Sequence, residues 1–301
     1  MSVITLSPQI RDNPLVSTLI TDYPCSMWTY QHGKAIIHQL PVLQDNYIYL
    51  IEAADDQTLA VVDPAEAAPV IAYAKHLGKA VTHILNTHHH WDHTDGNLDL
   101  LATYNCQIFG AAHDAARIAG ITQPVSAGKL QLGSLSLDVL DVPGHTLGHI
   151  AYVLNGADTP AMFCGDVLFG AGCGRIFEGT AAQMLQSLMS LVAHDGNTRV
   201  YCAHEYTLAN LSFAQHIQQE FGSDAPALTQ RIARDLESRH QQQPTIPSTL
   251  ADEMATNPFL RVQQEAFIQA YARTHHVNAD ALSVFTDLRT RRNNWKQTLI
   301  L

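Results

Sequence analysis

Between Thr87 and Asn97 the chain reads T-H-H-H-W-D-H-T-D-G-N, which places four histidines and two aspartates within eleven residues. Imidazole nitrogens and carboxylate oxygens are the donors that bind zinc and similar divalent ions, and catalytic sites leave one position open for water. Thr82–Asn86, just before, is apolar enough to be a buried strand, and Asn97–Tyr104, just after, has a helical pattern. His88 and His90 therefore leave a strand end in an extended loop, where alternate side chains point the same way. His89 should point elsewhere, and Trp91 is expected to pack beneath the loop. Asp92 and His93 fall on the turn into the helix and can face the same cavity from its other side.

Two such pairs suggest two metals, each still short of ligands. Completing groups occur at strand-to-loop boundaries: His145 in D-V-P-G-H-T-L-G-H, Asp166 in F-C-G-D and His204 in V-Y-C-A-H-E-Y. The expected arrangement gives His88, His90 and His145 to metal one and Asp92, His93 and His204 to metal two, with Asp166 bridging. A pair of ions so held can keep a hydroxide between them and clamp an oxygen on each side of a reacting carbon. Zinc is the first expectation, with iron and manganese suited to the same donors. Isolated histidines such as His38, His113 and His275 read as ordinary surface or core residues. Cys164 reads as a core strand residue and Cys173 as a tight loop position.

Around this centre, Ala35–Leu40, Tyr47–Glu52 and Leu59–Val62 read as strands, with Asn46 at the turn between the first two. A helix is expected over Glu66–His76, ending near Gly78. Strands return at Gln107–Phe109, Lys129–Leu132, Leu135–Leu140, Ile150–Leu154, Ala161–Cys164 and Val200–Cys202. This mixture implies an α+β fold with stacked sheets and flanking helices, not one doubly wound sheet. Past Tyr206 strand patterns become rare, and Leu208–Phe221 and Leu228–Gln243 read as amphipathic helices. The expected division is a 1–34 N-terminal extension, a 35–204 sandwich and a 205–301 helical unit.

Composition removes several function classes. A formal net charge of -11 with 15% charged residues argues against nucleic acid as a partner. Five cysteines without a C-x-x-C spacing suggest neither a disulfide framework nor a thiolate metal site, which points to a reducing, cytoplasmic setting. No secretory signal and no stretch approaching the roughly 18 apolar residues of a membrane span are evident.

The blocks T-H-H-H-W-D-H, P-G-H-T-L-G-H, G-D-V-L-F-G-A-G-C-G-R-I-F-E-G-T, V-Y-C-A-H-E-Y-T-L-A-N-L and P-S-T-L-A-D-E-M-A-T-N-P-F-L-R together resemble the glyoxalase II family, hydroxyacylglutathione hydrolases of the metallo-β-lactamase superfamily. The resemblance covers roughly residues 36 to 301 and implies an αββα sandwich carrying a C-terminal helical domain. It implies all seven metal ligands named above, with Asp92 and Asp166 at the heart of catalysis. It also implies substrate contacts at Arg175, Phe177 and Tyr206, and at Arg289 and Arg292 near the C-terminus. Arginine suits the carboxylates of glutathione because its planar fork is always charged. The implied activity is hydrolysis of S-2-hydroxyacylglutathiones such as S-D-lactoylglutathione by a hydroxide held between the metals, releasing glutathione and D-lactate in methylglyoxal detoxification.

Phe177 stands where the family commonly has tyrosine, Arg292 and Asn293 where it has lysine and aspartate, and Asp95 where it has a small residue. A glutathione persulfide dioxygenase of the same fold, with one iron, would lack the second ligand set and N-P-F-L-R. A non-catalytic metal- or glutathione-binding protein would be expected to have lost a ligand. A nuclease of the same fold would want a basic surface.

Overall fold

Runs rich in Ile, Val, Leu and Tyr assemble into two sheets packed face to face in a computed structural model that describes residues 27–221 and 225–295. The first sheet takes its strands in chain order: β1 (Trp28–His32), β2 (Ala35–Val42), β3 (Asn46–Glu52), β4 (Leu59–Val62), β5 (His83–Leu85), β6 (Gln107–Ala111) and β7 (Gln123–Val125). Pairing is antiparallel from β1 to β4 and parallel from β4 to β7. The second sheet contains β8 (Gly128–Leu132), β9 (Leu135–Asp141), β10 (Ile150–Leu154) and β11 (Ala161–Gly165) in antiparallel order. A short hairpin, β12 (Leu168–Phe169) and β13 (Gly172–Cys173), then precedes β14 (Arg199–Cys202), which lies parallel to β11.

Every residue of β4 and all but the last of β3 are buried, because both faces of that sheet are covered and an inner strand then reads as a continuous apolar run. One face meets Leu137, Tyr152, Phe163 and Tyr201 of the second sheet. The other lies under Val70 and Tyr73 of helix α1 (Ala67–His76) and Leu100 of a later helix, Asn97–Tyr104. In β9 burial alternates with period two, as a strand with one packed face requires. The helix Ala181–Leu191, not expected from the sequence, opens on a capping box in which Gln183 N donates to Thr180 Oγ1 and Thr180 N to Gln183 Oε1. These elements form the αββα sandwich that the resemblance implies.

Three expectations need correction. The 1–34 extension is too long, because Trp28–His32 is an edge strand of the first sheet; its alternating exposed residues hide the pattern. The remainder of that extension, residues 1–26, lies outside the described residues. Asn46 does not sit in the β2–β3 turn but opens β3, while Leu43 supplies the turn's left-handed conformation at φ 53°. Nor is the C-terminal unit purely helical. Between helices Pro226–His240 and Leu250–Thr256 the chain lays β15 (Ser248–Thr249) antiparallel on β14, extending the second sheet. The expected helices at Leu208–Phe221 and Leu228–Gln243 occupy Thr207–Gln219 and Pro226–His240.

Candidate metal centre

Parallel strands carry the side chains that follow them to one sheet edge, the usual place for a site in such folds. β4 delivers Asp63, β5 delivers Thr87 and His88, β11 delivers Asp166, and β14 delivers His204. Gly165 lets β11 make this delivery. It adopts φ +49°, and a Cβ there would lie 2.4 Å from Thr87 Oγ1, so a side chain would push Asp166 off the loop that carries His88.

The expected ligands form three overlapping groups, His88 with His90 and His145, His88 with His93 and Asp166, and Asp92 with His93 and His204; by its ion-pair distances Asp166 lies between two sets of them. In the first, His88 Nε2 is 2.9 Å from His90 Nδ1, which is 3.1 Å from His145 Nε2, which is 3.4 Å from Asp166 Oδ2. In the second, Asp92 Oδ2 lies 3.7 Å from His93 Nε2 and 3.6 Å from His204 Nε2, while Asp166 Oδ1 lies 3.5 Å and 3.3 Å from the same two nitrogens. Donors about 2.1 Å from a tetrahedral zinc stand roughly 3.4 Å apart, so these separations fit shells around divalent ions. Asp166 turns one oxygen to each set. Moreover, His93 Nε2 and Asp166 Oδ1 are buried without a hydrogen-bond partner, a cost that a bound cation would remove.

The imidazoles differ electrostatically. Burial, reinforced by the surrounding imidazoles, holds His88 well below its ordinary pKa, and burial with His145 and His89 lowers His90 to about 4. These rings are neutral and offer lone pairs. Burial also pulls on His204, but the Asp166 and Asp45 carboxylates outweigh it and raise the ring to about 10. His93 is raised likewise, Asp166 and Asp63 overcoming burial.

Partners outside the ligand set fix ring orientation, and sequence reasoning missed them. Asp63 Oδ2 binds His93 Nδ1 at 3.0 Å, and Asp45 Oδ1 binds His204 Nδ1 at 2.8 Å. Asn46 donates to the Asp92 carbonyl at 3.1 Å. The Arg175 carbonyl holds His145 Nδ1 at 2.8 Å, and Thr87 Oγ1 lies 3.1 Å from His88 Nδ1. The signal for Asp63 was present: a carboxylate directly after the wholly apolar L-A-V-V strand.

His89 turns away as expected, toward Asp114. Asp92 and His93 lie in their own short helix, Trp91–Thr94, and not on a plain turn. Trp91 does not pack beneath the loop; it is 62% exposed. Cys164 is buried in β11, and Cys173 is buried in the short hairpin.

Of the residues expected to contact substrate, Phe177 and Tyr206 lie against expected metal ligands. Phe177, also 62% exposed, sets its ring edge-on to His90 and His145, with centroids 5.7 Å and 5.2 Å away. Tyr206 stacks on His204 at 4.8 Å and 3°. Arg175 is exposed and, among the described residues, has no carboxylate within 4 Å. Arg292 donates Nε and Nη2 to Asn210 Oδ1 at 3.2 and 3.0 Å, and burial followed by the charges of Arg289 and Arg175 lowers its guanidinium to about 10. Arg289, expected among the substrate contacts, is buried and gives Nη1 to the Cys173 carbonyl at 2.7 Å. Asp95 and Asn293 are exposed.

Residues 43–204 match the metallo-beta-lactamase superfamily and residues 205–295 the family described as hydroxyacylglutathione hydrolase C-terminus. The hydroxyacylglutathione hydrolase of Rhodospirillum rubrum is 45% identical over 260 residues, 86% of this chain and 98% of that protein. That of Methylococcus capsulatus is 45% identical over 258 residues, 85% of this chain and 97% of its own. Among solved structures, ETHE1 from Myxococcus xanthus superposes with a TM-score of 0.60 at 22% identity, covering 88% of this chain and 94% of that one. A metallo-beta-lactamase from Staphylococcus aureus gives 0.58 at 20%, covering 90% and 75%. At such identities these two structures speak for the fold alone. No helix among the described residues is long and apolar enough to cross a membrane.

Proposed function

This chain belongs to the hydroxyacylglutathione hydrolase family, and from that premise we propose that it hydrolyses S-2-hydroxyacylglutathiones, S-D-lactoylglutathione among them, to glutathione and a 2-hydroxy acid. The observation that carries the reading is the Asp166 carboxylate, one oxygen turned to His145 and the other to His93 and His204. A bridging carboxylate between two ligand sets is what a pair of divalent ions requires, and the nitrogen and oxygen donors without thiolate suit zinc first. When bound, such ions supply a water ionised near neutral pH and positive charge beside a reacting carbonyl.

The chain's own residues do the rest. Arg175, with no carboxylate partner among the described residues, and Arg292, held below its ordinary value by burial and by the arginines beside it, receive the carboxylates of the glutathione moiety. Tyr206 and Phe177 flank the thioester, Tyr206 stacked on His204 and Phe177 edge-on to His145. Asp92, anchored through its backbone by Asn46, accepts a hydrogen bond from the attacking water and orients it toward the carbonyl carbon. The C–S bond breaks with the electron pair leaving on sulfur. A thiolate is stable enough near neutral pH to need little acid assistance. Arg289 acts from behind, pinning the hairpin that precedes Arg175.

The test is a thioester assay on S-D-lactoylglutathione with metal analysis of the same sample. Turnover with two metals per chain is expected. One bound iron, with oxygen consumed in the presence of glutathione persulfide, would replace this reading with the dioxygenase.

A further inference from the structure

The two ligand sets are not supported alike. His93 and His204 each rest on a carboxylate, whereas His88 and His145 rest on the Thr87 hydroxyl and the Arg175 carbonyl. For His90 the packing is ring against ring, with His88, His89, His145 and Phe177 around it. Something else must hold the metal-one ligands.

A cluster just outside them has the required connections. His89, between His88 and His90, sets Nδ1 2.7 Å from Asp114 Oδ2, and the Asp114 side chain is wholly buried. The Arg117 guanidinium meets His89 Nε2 and, at 2.5 Å, Glu178 Oε1. Because arginine only donates, Nε2 accepts and Nδ1–H donates to Asp114, so both ring nitrogens of His89 are engaged. Glu178 Oε2 in turn accepts from Leu147 N at 2.9 Å, while Phe177 N and Glu178 N donate to the His145 carbonyl at 3.1 and 3.3 Å. The segments 88–90, 145–147 and 175–178 are thereby one hydrogen-bonded body with Arg117 at its centre. Gly148 permits the approach, since a Cβ there would lie 2.4 Å from Asp114 Cγ.

We propose that Asp114, Arg117 and Glu178 form a latch that positions His88, His90 and His145 for metal one and at the same time holds Arg175 and Phe177 beside those ligands. Arg117 is a positioning residue, reaching the ligands only through His89 and Glu178. The inference rests on the reading that those three histidines bind a metal. It has a second consequence: the carbonyl of Arg175 orients His145, so a glutathione moiety gripping Arg175 steadies a metal-one ligand. Linkage makes that reciprocal, and metal one tightens the grip on glutathione.

The experiment compares wild type with Arg117→Ala, Arg117→Lys and Glu178→Gln by metal retention in dialysis against graded chelator, by thermal melting, and by kcat and KM on S-D-lactoylglutathione. Wild type should retain two metals. In Arg117→Ala and Glu178→Gln one metal should leave at about tenfold lower chelator concentration or less, the scale of partners that orient a ligand, while the other stays as in wild type. KM should rise more than kcat falls, and Arg117→Lys should recover part of both. S-methylglutathione should tighten the weaker metal in wild type and do so less in Arg117→Ala. Variants that keep both metals with wild-type affinity, or that lose both equally as the melting temperature falls, would overturn the latch alone. A wild-type chain holding a single metal would overturn the functional reading and the latch with it.

Discussion

Asp63→Asn changes one buried oxygen into an NH2 group and should cost the protein metal two. Asp63 follows β4 in the left-handed region at φ 48°, where asparagine is tolerated, so the backbone is not at stake. Its Oδ1 accepts from Thr87 N at 2.8 Å, and Oδ2 accepts from Thr87 Oγ1 at 2.7 Å and from His93 Nδ1 at 3.0 Å. An amide accepts at one end only. Placed one way, its NH2 faces the Thr87 N–H; placed the other way, it faces the His93 Nδ1–H. Two buried donors left facing each other cost about 1–3 kcal/mol. The cheaper escape is for His93, in its metal-binding neutral form, to move its proton from Nδ1 to Nε2, which removes the lone pair that metal two would take. We therefore expect metal-two affinity to fall about 10- to 100-fold, the range for lost orienting partners, which converts to about 1.4–2.7 kcal/mol. Chelator competition on the folded protein, with metal counted per chain, reads this directly. If Asp63→Asn binds both metals as tightly as wild type, the tautomer argument is wrong.

Other consequences can be measured on the same preparation. Arg175→Gln and Arg292→Gln should each raise KM for the glutathione thioester about tenfold while kcat stays within about threefold, the pattern of lost uniform binding; an equal fall in kcat and kcat/KM would place these arginines in the chemistry instead. Glu253→Gln should destabilise the fold by about 3–5 kcal/mol in urea titrations, because the fully buried Glu253 takes hydrogen bonds from Arg231 Nη2, Ser248 Oγ and Ala171 N; a loss below 1 kcal/mol would refute that. Asp55 is held at about 2: burial raises it, but the donors from Ser134, Thr58 and Gln57 together outweigh that. Its stabilisation should therefore be whole above the unfolded aspartate value of about 3.9 and vanish as pH falls through about 2, so wild-type and Asp55→Asn stabilities should converge on acidification.

His88, Asp166 and His204 were readable as candidate ligands because they follow apolar strands, and a strand end fixes where the next side chain goes. Asp166 after A-M-F-C-G and His204 after R-V-Y-C needed no more than that rule. Asp63 stood at such a strand end too, but Asp45 and Asp114 were not readable, since a lone carboxylate in a loop looks the same whether it faces solvent or an imidazole. Trp91 misled because aromatic residues are usually packed, yet its neighbours His90 and Asp92 already turn inward and leave it outside. Arg289 shows the converse: a charged residue in L-R-T-R-R looks exposed until the hairpin at Cys173 supplies carbonyls for it. For β1 the signal was a five-residue alternation too short to stand out, secured by long-range bonds from Trp28 Nε1 to Gln243 and from Tyr30 to the Ile246 carbonyl.

The two-residue strand β15 makes the helical unit impossible to detach cleanly. Ser248 and Thr249 occupy the edge of β14, and Glu253 a few residues later takes the amide of Ala171 in the sandwich. A chain cut after Tyr206 would leave that edge open to pair with another molecule and would strand the amide in an apolar interior. The sandwich and the helices should thus unfold in a single transition, and a sandwich expressed alone should aggregate instead of persisting as a metal-binding fragment.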